Sequence, residues 1–100
     1  MRIIRTKPLI EFYKKHPKAE APLKSWVMEA KYKTWDTPHD IKNLHRSADI
    51  LPNNRVVFNI GGNSFRLIVK INYNCGVVYI KFIGTHSEYD KINAEAVDAY

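Results

Sequence analysis

Apolar residues recur along this chain with two different periods. From residue 64 to 86 they alternate. Phe65, Leu67, Val69, Ile71 and Tyr73 share one face of a strand, and Arg66, Lys70 and Asn72 share the other. After Asn74-Cys75-Gly76 the alternation resumes from Val77 to His86. A tight turn at Cys75-Gly76 predicts the pairs Val69–Phe82, Ile71–Ile80 and Tyr73–Val78. The same register sets Lys70 opposite Lys81, Asn72 opposite Tyr79 and Thr85 opposite Arg66. Arg55 to Ile60 reads as a preceding strand, joined through Gly61-Gly62, a turn that needs positive φ.

The first half of the chain follows the helical period instead. Met1–Arg5 is a short strand. Thr6 is positioned as an N-cap with Pro8 in the first turn, and Leu9, Ile10, Phe12 and Tyr13 form an apolar face as far as His16. Pro17 ends that helix. A second helix begins near Pro22 and buries Leu23, Trp26, Val27 and Ala30, spaced i, i+3, i+4 and i+7. Thr37-Pro38 starts a third, ending near His45. Arg46–Asn54 reads as loop, and the chain turns helical again from Ser87 before fraying. The order β-α-α-α-β-β-β predicts one α+β domain over residues 1–100. Its antiparallel sheet combines the N-terminal strand with a C-terminal three-strand meander and carries the helices on its apolar face. The other face, bearing Arg55, Asn59, Arg66, Lys70, Tyr79 and Lys81, is expected to stay partly open.

Composition sharpens this picture. The chain carries a formal charge of +6, which points to an acidic partner. One hundred residues support a single core but leave little room for a large cofactor pocket. The lone Cys75 excludes an internal disulfide, fits a reducing compartment and is read as structural. No secretory segment is evident, and no apolar run approaches the ~18 residues of a membrane span. A cytoplasmic location without membrane contact is expected.

The histidines His16, His39, His45 and His86 have no zinc-ligand spacing, and the acids are scattered, so neither a metal nor another cofactor is expected. Like charges directly opposite on a sheet destabilise it, and the predicted Lys70–Lys81 pair therefore suits an anion such as a phosphate. Arg66, Lys70, Tyr79, Lys81, His86 and Tyr89 fit two readings: a solvated face with snorkelling cations, or a surface that cleaves an RNA phosphodiester. Cleavage needs a base for the 2′-hydroxyl, cations for the phosphoryl oxygens and an acid for the leaving 5′-oxygen. Tyrosines can stack bases. Asn59 and Asn63 either bond a base edge or fix the turn.

The segment Val57-Phe58-Asn59-Ile60-Gly61-Gly62-Asn63, followed by Phe65-Arg66-Leu67, Tyr79-Ile80-Lys81 and Thr85-His86-Ser87-Glu88-Tyr89-Asp90, resembles the HigB toxin family of bacterial type II toxin–antitoxin systems. The likeness spans nearly the whole chain. It implies membership of the wider RelE superfamily of small α+β ribonucleases, which cut mRNA, commonly on the ribosome, and are silenced by a cognate antitoxin. It also implies that Arg66, Lys81, His86 and Tyr89 lie at or near the active surface. On that basis His86 is the expected acid or base, Arg66 and Lys81 stabilise phosphate, and Tyr89 orients a partner. A Lys70–Lys81 pair whose members depress each other's proton affinity is a second route to a base. Arg55, Asn59, Asn63, Lys70 and Tyr79 are the expected RNA contacts. A non-catalytic RNA-binding module and a basic protein-interaction domain remain as alternatives.

Overall fold

The alternating run of residues 65–85 forms two antiparallel strands at the centre of a five-stranded sheet. The computed structural model describes residues 1–100. Its strands are β1 (Arg2–Ile4), β2 (Asp49–Leu51), β3 (Arg55–Ile60), β4 (Phe65–Asn72) and β5 (Val77–Thr85). Their spatial order is β1-β5-β4-β3-β2, antiparallel except for β1 beside β5. The helices are α1 (Lys7–Lys15), α2 (Glu20–Tyr32), α3 (Pro38–Leu44) and a short α4 (His86–Tyr89). The fold is α+β.

Each helix start follows from its sequence. Thr6 caps α1 through its carbonyl, which accepts from the Leu9 and Ile10 amides, while its side chain makes no capping bond. Pro22 sits in the first turn of α2, where no intrahelical donor is lost. Thr37 and Asp40 form a reciprocal capping box at α3, and Thr85 and Glu88 form another at α4.

The helical stripe and the alternating strands bury one another. Leu23, Trp26 and Ala30 of α2 meet Val56 and Phe58 of β3, Leu67 and Val69 of β4, and Val78 and Ile80 of β5. Phe58 is the hub, with ring centroids 5.4 Å from Trp26 and 5.9 Å from Trp35. Truncating it to alanine should cost about 3–5 kcal/mol.

Four expectations need correction. The Arg46–Asn54 loop contains β2, whose three residues are too few to show a period. Asn53 and Asn54, both at φ 61°, turn the chain back into β3. The turn between β4 and β5 is longer than Cys75-Gly76 alone, spanning Tyr73–Gly76, with Gly76 at φ 67°.

The third correction is the register. β4 pairs Ile68 with Phe82 but Val69 with Ile80, so Lys81 is the extra residue of a bulge. Lys70 therefore faces Tyr79 rather than Lys81, Asn72 faces Val77, Ile71 faces Val78, and Gly84 rather than Thr85 faces Arg66. The bulge also moves Phe82 off the core side, onto the face of Ile68 and Arg66.

The fourth correction concerns the C-terminus. α4 ends at Tyr89, and the remaining residues neither continue the helix nor fray. They run back over the non-helical face of the sheet. Arg55 Nη1 donates to the carbonyls of Ala94 (3.2 Å) and Val97 (2.6 Å), the Ala99 amide donates to the Lys81 carbonyl, and the Ile83 amide donates to the Tyr100 hydroxyl. This strap half-covers the face expected to be open. Val57 and Ile68, on the same side of the sheet as Arg55 and outside the helical core cluster, are also buried.

Candidate nucleic-acid interface

Alternation along β3 and β4 places Asn59 beside Arg66 and Arg55 beside Lys70 on the strap side of the sheet. A strand advances ~3.3 Å per residue, so Arg66 and Lys70 lie roughly 13 Å apart. The residues nominated from the sequence consequently fall into two groups along this face.

The first group surrounds α4. Arg66 Nη1 donates to the carbonyls of Asn63 (3.1 Å) and Phe65 (3.2 Å), which hold the guanidinium over the Tyr89 ring, 5.8 Å from its centroid. His86 opens α4, and its Nδ1 lies 3.0 Å from Asp90 Oδ2, one turn on. The imidazole is about half exposed, its side chain at 52%, and is free to meet a ligand. Burial pushes the Tyr89 hydroxyl above the usual tyrosine range. The nearby carboxylates of Asp49 and Asp90 push the same way, and Arg66 opposes them. Tyr89 therefore stays protonated at neutral pH and can donate a hydrogen bond, but does not supply a phenolate base. Gly84, opposite Arg66, leaves room for the group: a Cβ there would come within 2.5 Å of the Phe82 ring and 3.2 Å of Glu88 Cβ.

The second group surrounds the bulge. Lys81 Nζ lies over the Tyr79 ring, 5.8 Å from its centroid, and 3.2 Å from Asp98 Oδ1 on the strap. Lys70 is exposed beside Tyr79. The ion pair with Asp98 is open to solvent on the carboxylate side and contributes at most about 1 kcal/mol, so an incoming phosphate can displace it.

Two nominated residues are already engaged. Arg55 is buried, and its guanidinium is committed to strap carbonyls, so it is not the open cation expected from its strand position. Asn59 Nδ2 donates to the Ser47 carbonyl and ties β3 to the preceding loop. Asn63 stands exposed in the β3–β4 turn, offering its carbonyl to Arg66. The predicted Lys70–Lys81 opposition, and the lysine general base built on its mutual lowering of proton affinity, lose their basis in the observed register. The like-charge pair on this face is Arg55–Lys70, and the strap carbonyls offset it. Sequence reasoning passed over Asp49, Asp90 and Asp98. The i, i+4 spacing of His86 and Asp90 was a readable signal; Asp49 and Asp98 arrive from distant segments and gave none.

Fold and site together define a small α+β domain with a cationic, tyrosine-bearing sheet face and a histidine at its rim. Residues 19–92 match the family described as HigB_toxin, RelE-like toxic component of a toxin-antitoxin system. A protein named mRNA interferase HigB, from Escherichia coli O6:H1 strain CFT073, is 31% identical over 94 residues, covering 92% of this chain and 91% of the relative. The mRNA interferase toxin HigB of Escherichia coli strain K12 is 27% identical over 96 residues, covering 94% and 92%. The chain belongs to the HigB toxin family.

Proposed function

We propose that this protein is the toxin of a type II toxin–antitoxin system, an endoribonuclease that cuts mRNA and is held inert by a cognate antitoxin. Family membership and the names of its relatives support this reading. The observation that carries it to particular residues is the Arg66–Tyr89–His86 group, which joins an anion-binding guanidinium, a protonated phenol and an exposed imidazole around one short helix.

In this scheme Arg66 takes the scissile phosphate and meets the charge that grows on its non-bridging oxygens. His86 exchanges a proton with the 2′-hydroxyl or the leaving 5′-oxygen, with Asp90 orienting its ring. Tyr89 donates to substrate and holds the Arg66 plane. Lys81, Lys70 and Tyr79 receive an adjoining nucleotide, its phosphate replacing Asp98 and its base stacking on the tyrosine. Asn63 contacts the RNA at the rim. In this scheme these cations carry the electrostatic stabilisation, and the internal 2′-hydroxyl is the nucleophile. No helix is long and apolar enough to cross a membrane. An mRNA-cutting toxin meets its substrate in the cytoplasm, and on that reading the protein acts there, at the ribosome.

The experiment is direct. Purified protein is incubated with mRNA, with and without translating ribosomes, and new 5′ ends are mapped. New ends produced by the parent and missing with Arg66→Ala support the reading. RNA that is bound but left uncut under both conditions would instead favour a non-catalytic RNA-binding module.

A further inference from the structure

The short first strand leaves a gap at the edge of the sheet. β1 pairs only with Val77–Tyr79 at the start of β5, and Arg5, at φ 71°, turns the chain away into α1. The rest of β5 has no strand beside it on that side. The end of the chain takes up part of this edge: the Ala99 amide donates to the Lys81 carbonyl, and the Ile83 amide donates to the Tyr100 hydroxyl. Between α1, Ile83, Tyr100 and Glu88 of α4 a cavity of about 460 Å³ remains, a size usual for small-ligand sites.

Its lining is of three chemical kinds. Phe12, His16 and Tyr100 supply aromatic surface, and the His16 ring stacks on Phe12 with centroids 4.4 Å apart. Arg5, Lys7 and Lys15 supply cations, and Glu11 and Glu88 supply carboxylates. Glu88 Oε1 accepts from the Thr85 amide at 2.8 Å. Arg5, Lys7, Glu11 and Lys15 make no ion pair. Both carboxylates face the tyrosine. Burial raises the Tyr100 hydroxyl above the usual range, the bond from Ile83 opposes the rise, and Glu88 and Glu11 add to it.

These charges select a class of ligand. A bare anion would meet two carboxylates, and a metal ion or a basic peptide would meet three cations. A nucleotide answers both: its phosphate suits the cations, and its base offers a face to stack and an edge that donates. Among the bases, guanine sets N1–H and N2–H side by side, the two-donor match of a carboxylate. Adenine and cytosine set a donor beside an acceptor, and uracil sets its one donor between two acceptors. α4 separates this cavity from the active group. Glu88 lines the cavity, while His86 and Tyr89 of the same turn belong with Arg66. A helix is about 10 Å across, so one RNA strand crossing α4 reaches both sides.

We propose that this cavity binds a guanine nucleotide of the mRNA near the scissile bond. The base edge donates to Glu11, its ring lies on the aromatic wall, and its phosphate meets Lys7 and Lys15. The inference rests on the mRNA-cutting reading above, and adds a base preference and the residues that set it.

The test begins with binding. Two uncleavable 2′-deoxy oligonucleotides of one length, all-uracil or with a single guanine, are titrated by fluorescence anisotropy. The proteins are the parent, Glu11→Gln, Lys15→Ala and Tyr79→Ala, each checked by thermal melting. Glu11 and Lys15 are exposed on α1, so neither change opens the core. The parent should hold the guanine oligonucleotide about tenfold more tightly. Glu11→Gln should abolish that difference, because the amide replaces one acceptor with a donor. Lys15→Ala should weaken both alike and reduce the salt slope by about 0.7. Cleavage of ribose mRNA by the parent should then cluster near guanines, and that bias should vanish with Glu11→Gln. Equal affinities in the parent, or a preference that survives Glu11→Gln, would overturn the cavity whether or not the protein cuts RNA. A preference lost with Tyr79→Ala instead would place base reading on the sheet face and overturn it too. A parent that prefers guanine through Glu11 but cuts no RNA would keep the nucleotide site and remove the ribonuclease reading.

Discussion

At the scale of single residues, exposure separates the side chains that can meet a ligand from those that hold the fold. Arg66 and His86 lie off the helical core, so replacing either leaves no cavity beneath the helices. Arg66→Ala and His86→Ala should each abolish growth arrest on expression while melting within about 1 kcal/mol of the parent. A folded His86→Ala protein that arrests growth as the parent does would remove His86 from the scheme. Three tyrosines make a different prediction. Burial raises the hydroxyls of Tyr73, Tyr89 and Tyr100 above the usual value of 10.0, because it disfavours the phenolate. Their folded values exceed their unfolded ones, so this contribution to stability is intact below the unfolded value and is lost as pH rises through the folded ones. Unfolding free energy from urea titrations should hold up to about pH 10 and decline above it. Tyr73 adds a second expectation. Its hydroxyl is buried without a hydrogen-bond partner, so Tyr73→Phe should not destabilise the protein at neutral pH, and it should soften the alkaline decline.

At the scale of elements, the legible parts were those set by local rules. Leu23, Trp26, Val27 and Ala30 announced α2, Thr37-Pro38 announced α3, and the alternation from Phe65 announced β4. The bulge at Lys81 escaped because register depends on how two strands settle together, and one extra residue changes every pairing beyond it. β2 escaped because three residues carry no period. The strap escaped because its link to Arg55 runs through backbone groups, the carbonyls of Ala94 and Val97, a pattern that no side-chain spacing encodes. For the site, Arg66, His86 and Tyr89 were legible as a neighbourhood, whereas the burial of Arg55 was not. Two element-scale predictions follow from these findings. Gly84→Ala must drive the Phe82 ring aside beneath α4. It should cost about 1–3 kcal/mol in a urea melt and reduce cleavage by displacing Tyr89 and His86. Asp98→Asn frees Lys81 from the strap. It should change stability by less than about 1 kcal/mol and strengthen RNA binding at low salt. Weaker binding would mean that Asp98 positions Lys81 rather than masking it.

At the scale of the whole molecule, charge is the governing quantity, and the proposed RNA contacts Arg66, Lys70 and Lys81 gather on one side of the sheet. The formal charge of +6 favours association with polyanions. Each phosphate neutralised on a single strand contributes about −0.7 to the slope of log affinity against log salt. Arg66, Lys70 and Lys81 together predict a slope of roughly −2 for the sheet face, and a flat titration would exclude that face as the binding surface. Chemistry on RNA is the central claim, and it turns on one atom. In a ribosome-supplemented reaction, the scissile nucleotide of the mRNA is replaced by its 2′-deoxy counterpart, and cleavage and product ends are compared with the unmodified message. The account predicts that the ribose message is cut to a 2′,3′-cyclic phosphate or 3′-phosphate and that the deoxy message stays whole at that position. Continued cleavage of the deoxy message, or products ending in a 3′-hydroxyl, would contradict it.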